Sequence, residues 1–359
     1  MRKSILAGAL SIAVFSTGFG YQAQAQAQGQ GNLDISNVVQ EKQLFAATSN
    51  SQVQVASYQD IYKMLLLSKL AFKDDQMALV TTKNSITVKI SLKAIWQSYE
   101  DGTNLYPEGE AEFKKLYEEY KKVFGESIQL RFVQSGKSFK AEIYGLGSWH
   151  AISGKELEGI YSIFNRADYD LKAGGYFTDA IGHWSESYIQ FLYQLDIVNG
   201  TSATTFNPNG QVTRGQLAKM IFNATGLDMN EEYEGPATYK DLNGFWGAKE
   251  VAVLQDYGLI DIFKGDQFQP NKKVTREEMA HVTASYLIAL DIDPNKVGVK
   301  NTFVDKAQMS KDTVDSIGLL QQLSIIEGVN GKFNPKGNIT RAQFSKIMTL
   351  SIMKLVEEE

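Results

Sequence analysis

The second half of the chain repeats itself three times, and this repetition constrains the fold more than any other feature. Each copy contains an aromatic-x-Asp triplet, then a Phe-x-Pro triplet, then a Val/Ile-Thr-Arg triplet. The arginine follows the aspartate by 35 residues in the first two copies and by 36 in the third. A short unit with an apolar helical stripe cannot bury that stripe alone, so we expect the three copies to pack on one another.

Each Val/Ile-Thr-Arg triplet carries the signature of a helix start. The threonine is followed three residues later by Gln or Glu, which predicts a capping box at the N-terminus of a helix. The three pairs are Thr213 with Gln216, Thr275 with Glu278, and Thr340 with Gln343.

The arginine of each triplet occupies the first helical position, where a positive charge opposes the helix dipole at a cost of roughly 0.3–1 kcal/mol. The positions are Arg214, Arg276 and Arg341. Two interpretations stay open. The guanidinium and the free backbone N–H groups of the helix start together suit a carboxylate or phosphate. Alternatively, each arginine forms a salt bridge with the motif aspartate of a neighbouring copy, and both can hold at once.

These motifs resemble the S-layer homology family. The stretches F-T-D-A-I-G-H-W, F-N-P and V-T-R-G-Q of the first copy are repeated as Y-K-D-L-N-G-F-W, F-Q-P and V-T-R-E-E, then as F-V-D, F-N-P and I-T-R-A-Q. The resemblance covers about half of the chain, with predicted repeats at 174–230, 236–293 and 299–354.

The resemblance implies a mainly α-helical pseudo-trimer whose grooves bind secondary cell-wall polysaccharide, often through pyruvylated N-acetylmannosamine. It also implies that the arginine, the aspartate, a tryptophan and a loop glycine of each copy line the groove. The implied ligand-binding residues are Asp179, Trp184, Gly200 and Arg214 in the first copy, Asp241, Trp246 and Arg276 in the second, and Asp305, Gly328 and Arg341 in the third.

The copies depart from one another at three of these positions. Ile262 stands where the second copy should have its loop glycine, and a β-branched residue resists a positive φ. Ser310 replaces the tryptophan in the third copy, and Asp196 stands in the first copy where the second has Gly258. We therefore expect non-equivalent grooves, with the first copy the most complete. Core packing remains the alternative role for both tryptophans.

The N-terminal segment predicts export. Arg2 and Lys3 precede an apolar stretch that ends in A-x-A sites, the pattern of a secretory signal peptide over 1–27. A Gln-, Gly- and Ser-rich linker is expected over 28–50. No later run is apolar and long enough to predict a membrane span.

Residues 51–168 predict a small α+β domain, which makes the chain multidomain. Helical spacing runs from Tyr58 to Leu70, and helices are also expected over 110–124 and 155–164. Alternation over 86–92 predicts a strand, and a hairpin is expected between 128–132 and 139–143. Trp149 and His150 are interpreted as a turn with packing.

Composition narrows the function. The net charge is −5, without a basic run, so nucleic acid is not an expected partner. The chain has no cysteine, and its three histidines lack metal-ligand spacing, so neither a metal nor a cofactor is expected. We expect a non-enzymatic wall or S-layer protein whose residues 51–168 bind further copies or another surface protein. The alternative is a wall-anchored hydrolase with that domain as its catalytic part.

Overall fold

The computed structural model describes residues 58–70, 76–93, 118, 121–122, 124–135, 138–145, 147–152, 174–226 and 238–357. The predicted signal peptide, the linker, the helix over 155–164 and most of the helix over 110–124 lie outside these residues. The chain divides into two compact units, one ending at Gln190 and the other beginning at Phe191. Each unit is described by itself below.

The first unit contains helix α1 and a five-stranded antiparallel sheet. Helix α1 spans Tyr58–Lys69. The strands follow one another across the sheet in chain order, β1-β2-β3-β4-β5. Their bounds are β1 Met77–Thr81, β2 Ser85–Ser91, β3 Ser127–Ser135, β4 Ser138–Gly145 and β5 Ser148–Ala151.

Alternation along β2 and β3 builds the core of this unit. Ile86 and Val88 on β2 are buried, as is Phe132 on β3, and Ile86 pairs with Phe132 in register. The apolar side of α1, including Leu65, joins the same core. The predicted helix, strand and β3–β4 hairpin are therefore confirmed, and Ser135 pairs with Ser138 at the turn.

Two edge strands were not anticipated. Strand β1 has the sequence M-A-L-V-T, which is almost uniformly apolar and gives little period-two signal. Interpreting Trp149 and His150 as a turn was wrong, because both lie in β5, where Trp149 pairs with Tyr144. That strand is only four residues long, too short for a recognisable alternation.

The beginning of the first repeat belongs to this same unit. The rings of Tyr176 and Tyr62 meet edge to face with centroids 4.9 Å apart, and Ile181 packs against the core. The Thr81 hydroxyl donates to Glu186 Oε2 at 2.6 Å, and the Gly182 amide donates to the Thr81 hydroxyl at 2.8 Å. Strand β1 is thus bonded to the turn before helix α2, which spans Glu186–Gln194.

The second unit is helical and is built from the repeats. Its helices are α3 Arg214–Thr225, α4 Ala248–Asp256, α5 Arg276–Ala289, α6 Pro294–Val297, α7 Val314–Gln322 and α8 Arg341–Glu357. No helix of the described chain is long and apolar enough to cross a membrane. Both halves of the predicted capping box are present in every repeat. Thr213 caps α3 with Gln216, Thr275 caps α5 with Glu278, and Thr340 caps α8 with Gln343.

The three cap regions close into a ring of backbone hydrogen bonds. Val212 donates to the Ile339 carbonyl at 3.1 Å, Ile339 to the Val274 carbonyl at 2.9 Å, and Val274 to the Val212 carbonyl at 3.0 Å. All three side chains are fully buried. Because every repeat both donates and accepts, the predicted packing of the repeats on one another is confirmed.

Candidate functional site

The three arginines stand where adjacent repeats meet. Each begins the second helix of its own repeat and reaches into the next repeat, where it donates to the carbonyl of the Phe-x-Pro phenylalanine. The bonds run from Arg214 Nη1 to Phe268 at 3.0 Å, from Arg276 Nε to Phe333 at 2.8 Å, and from Arg341 Nε to Phe206 at 2.8 Å. The direction is cyclic, because the third repeat returns to the first.

Each guanidinium also lies over an aromatic ring of that next repeat. Arg276 lies 4.6 Å from the centroid of Phe333, and Arg341 lies 4.1 Å from that of Phe206. Arg214 instead lies 4.3 Å from the centroid of Phe263, in the loop before its Phe-x-Pro triplet. Stacking and hydrogen bonding together fix the plane of each guanidinium.

The remaining nitrogens of the three arginines meet different partners. Arg214 Nη2 forms a salt bridge with Glu278 Oε1 at 2.7 Å, with both side chains nearly buried. Arg341 Nη2 donates to the Asn199 carbonyl at 2.6 Å. For Arg276, no described residue bonds either terminal nitrogen. The three sites thus differ in charge and in openness.

The aspartates of the second and third repeats hold the Phe-x-Pro turn of their own repeat. Asp241 accepts from the Phe268 and Gln269 amides at 2.8 and 2.7 Å. Asp305 accepts from the equivalent amides of the third repeat, those of Phe333 and Asn334, at 2.9 and 2.7 Å. In each turn the middle residue has a positive φ, which the carboxylate stabilises by taking two consecutive amides.

The aspartate of one repeat and the arginine of the preceding repeat therefore bind the same phenylalanine backbone. The aspartate takes its N–H and the arginine of the preceding repeat takes its carbonyl, so neither Arg214 nor Arg276 forms an ion pair with the aspartate facing it. Burial alone would raise the pKa of Asp305, but the amides of Phe333 and Asn334 hold it below the ordinary value. Burial lowers the pKa of Arg276, and the nearby Asp305 carboxylate opposes that shift.

Both tryptophans are exposed. Trp184 keeps 55% and Trp246 64% of its surface open, which argues against core packing as their role. Trp246 leans on Phe245, with centroids 4.8 Å apart, and Trp184 meets Tyr188 edge to face at 6.4 Å. A half-open indole face is the surface that sugar rings stack on.

The loop glycine of the third repeat, Gly328, is required by close packing and not by a positive φ. Neither Gly200 nor Gly328 has a positive φ, and nor does Ile262, so the expectation that Ile262 resists a strained backbone was wrong. A Cβ on Gly328 would lie 2.6 Å from the Lys332 carbonyl and 2.7 Å from the Phe303 ring. The positive φ falls instead just after the first helix, at Asp196, Gly258 and Ser324.

The residues of one repeat do not form one groove. Arg214 meets the loop and cap of the second repeat, so Ile262, beside Phe263, belongs to the Arg214 site. Asn199, beside Gly200, belongs to the Arg341 site. Grouping Gly200 with Arg214 as the most complete groove is thereby corrected, because the chain direction around the ring brings each loop to the arginine of the preceding repeat.

Two contributors to these sites were missed from the sequence. Glu278 was recognised as a cap but not as an ion-pair partner, although it alone is acidic where the other repeats have Gln216 and Gln343. Lys336 was also missed; it pairs with Glu277 beside Arg276. In the described chain no group of three acidic or histidine side chains is placed to hold a metal.

Comparison with known proteins gives matches to the repeats. The S-layer homology domain matches residues 176–218, 238–280 and 302–345. An endoglucanase from Bacillus sp. (strain KSM-635) is 29% identical over 177 residues, which is 49% of this chain and 18% of that protein. S-layer protein EA1 from Bacillus anthracis is 28% identical over 160 residues, 41% of this chain and 18% of that protein.

A third relative, an S-layer protein from Bacillus licheniformis, is 33% identical over 117 residues, or 32% of this chain and 13% of that protein. The chain thus spans less than a fifth of the length of each of these relatives. The matched part is thus shared with two S-layer proteins and with an endoglucanase.

Proposed function

This chain carries three tandem S-layer homology domains, from which we infer that it is anchored non-covalently at the bacterial cell wall. These domains are the part of the chain that matches S-layer protein EA1 and the S-layer protein from Bacillus licheniformis. Because the three repeats pack into a closed ring, the anchor is a single folded unit and not a series of independent domains.

The ligand we propose is an acidic secondary cell-wall polysaccharide, with pyruvate ketals as its charged groups. The observation that carries this is the placement of an arginine at a helix start between adjacent repeats. A pyruvate ketal presents a planar carboxylate, which matches the arginine fork. The backbone N–H groups of the helix start are not free, contrary to the expectation from the sequence: those of Arg276 and Glu277 donate to the Gly337 and Pro335 carbonyls, and the equivalent groups of the other two repeats are bonded in the same way. Exposed Trp184 and Trp246 offer apolar faces for the sugar rings themselves.

A pull-down on purified wall sacculi tests this function. Sacculi that retain their polysaccharide are expected to sediment the protein, and sacculi stripped of it by acid are not. Removal of the pyruvate ketals alone should cost most of the binding. Equal binding to stripped sacculi would show that peptidoglycan, not the polysaccharide, is the ligand.

For the N-terminal unit we propose a structural or interaction role, binding further copies or another surface protein. On the face of the sheet opposite the core, Arg131 pairs with Glu142 at 2.6 Å and stacks on Trp149 at 4.3 Å, a charged and aromatic group that a partner protein could contact.

The alternative is that the N-terminal unit is a hydrolase displayed by the anchor. The endoglucanase among the relatives supports this alternative, because it carries the same repeats. Incubating the full chain with peptidoglycan and with wall glycans separates the two roles. Released sugars would favour the hydrolase. Concentration-dependent association without released sugar would favour the structural role.

A further inference from the structure

The Arg214 site is closed to anions by its own neighbours. Glu278 takes Nη2 in a salt bridge of 2.7 Å, and the Phe268 carbonyl takes Nη1. The Arg214 side chain is only 9% exposed. An incoming carboxylate would have to displace Glu278 and leave it buried beside a second negative charge, which is strongly unfavourable.

The fold does not require Glu at position 278. The capping box works equally with glutamine, as Gln216 shows in the first repeat and Gln343 in the third. In all three repeats this side chain accepts from the cap threonine amide. The acid therefore adds something the cap alone does not need, namely a fixed counter-charge for Arg214.

Arg276 is in the opposite situation. Its Nε is used by Phe333, which leaves the Nη1/Nη2 end of the fork without a partner among the described residues. The cap of the next repeat is neutral Gln343, and the next loop has Gly328 where the Arg214 site has Ile262. That open end can pair with both oxygens of a carboxylate.

The described acidic side chains near Arg276 form no ion pair with it. The Asp305 carboxylate, which opposes the shift in the pKa of Arg276, accepts instead from the Phe333 and Asn334 amides. Glu277 is occupied by Lys336, by the Ser310 amide at 2.9 Å and by the Thr313 hydroxyl at 3.3 Å. Lys336 keeps about half of its surface open, and its charge is balanced by Glu277.

Arg341 is intermediate. The Phe206 carbonyl takes its Nε and the Asn199 carbonyl takes its Nη2, which uses one complete edge of the fork. The side chain is 8% exposed. The edge that these two carbonyls occupy is not free for a carboxylate.

We propose that Arg276 binds the anionic group of the wall glycan and that Glu278 excludes such a group from Arg214. This inference rests on the proposed function and specifies which of the three inter-repeat sites carries it. It reverses the order expected from the sequence, in which the first copy had the most complete groove.

Reciprocal exchange of the cap residues tests the proposal. Gln343→Glu gives the Arg276 site the acidic cap residue that the Arg214 site has. Glu278→Gln gives the Arg214 site the neutral cap residue that the Arg276 site has. Each variant uses a cap residue that another repeat carries naturally, so the fold is expected to persist. Binding of a pyruvylated wall fragment to the full chain is measured by calorimetry, with the same fragment after removal of pyruvate as the control.

Gln343→Glu and Arg276→Lys are each expected to weaken binding about ten- to a hundredfold, since a charge-assisted bidentate pair is lost or neutralised. Arg214→Lys should weaken binding less than Arg276→Lys does, and Glu278→Gln should raise the number of bound fragments per chain. A greater loss in Arg214→Lys or Arg341→Lys than in Arg276→Lys would overturn the assignment of Arg276. Unchanged stoichiometry in Glu278→Gln would overturn the role of Glu278.

The proposed function fails in a different way. If the unmodified chain binds intact and pyruvate-free fragments equally, the anionic ligand itself is wrong. If it prefers the intact fragment and the cap exchanges have no effect, only the site assignment is wrong. Thermal melts of the same variants separate lost affinity from lost folding.

Discussion

Replacing Glu186 by glutamine is expected to make the first unit more stable in mildly alkaline solution. The Glu186 side chain is buried beside β1, where Thr81 donates to Oε2 and no described residue bonds Oε1. Burial raises its pKa to about 8 from the ordinary 4.5, with the Gly182 amide acting in the opposite direction. The fold therefore prefers the neutral acid, which glutamine mimics in shape.

The sign and size follow from the two pKa values. Because the folded pKa lies above the unfolded one, the contribution of Glu186 is fully present below pH 4.5 and is lost as the pH rises through about 8. One pKa unit corresponds to about 1.4 kcal/mol. The stability gained by Glu186→Gln should thus be near zero at pH 4.5 and approach the order of 5 kcal/mol above pH 8.

Urea unfolding of the full chain, followed by circular dichroism between pH 4.5 and 9, measures this difference. Glu126→Gln is the matched control, because Glu126 is exposed and pairs with Lys121 at the surface. Its effect should stay within about 0.5 kcal/mol at every pH. Parallel pH dependence of Glu186→Gln and the unmodified chain would refute a buried, protonated Glu186.

Three further changes test other parts of the molecule. Ending the chain at Asp293 removes the Ile339 carbonyl to which Val212 donates. Calorimetry should then show a lower melting temperature and a broader transition, and an unchanged melt would contradict closure of the ring. Gly328→Ala brings a Cβ within 2.6 Å of a backbone carbonyl and should cost about 1–3 kcal/mol in urea unfolding, against almost nothing if the loop adjusts freely. Trp246→Ala should change stability by less than about 0.5 kcal/mol yet weaken sedimentation with sacculi, and unaltered sedimentation would exclude the exposed indole from binding.

Local chemistry was predictable from the sequence. The capping boxes depend on residues three positions apart, so Thr213 with Gln216 and its counterparts could be located without any tertiary information. The β3–β4 hairpin follows from alternation on both sides of a short turn. Packing of the repeats on one another follows from the size of each unit.

The direction of the ring was not predictable. The sequence shows that Gly200 and Arg214 belong to the same repeat. In a closed ring of three repeats, however, each arginine could contact either of the two neighbouring repeats, and only the tertiary structure shows which one it contacts. The structure gives the loop beside Asn199 to Arg341. The pairing of Arg214 with Glu278, on which the charge of the site depends, was inaccessible for the same reason.

The cyclic bonds among Val212, Val274 and Ile339 also limit how such an anchor can evolve. An open solenoid ends in a free face at each terminus, so duplication of a unit simply lengthens it. Here each repeat already has both neighbours, and a fourth copy inserted in tandem would find no unpaired edge to join. Copy number is therefore fixed at three for each anchor. A lineage that needs firmer attachment must duplicate the whole set or alter side chains between existing copies.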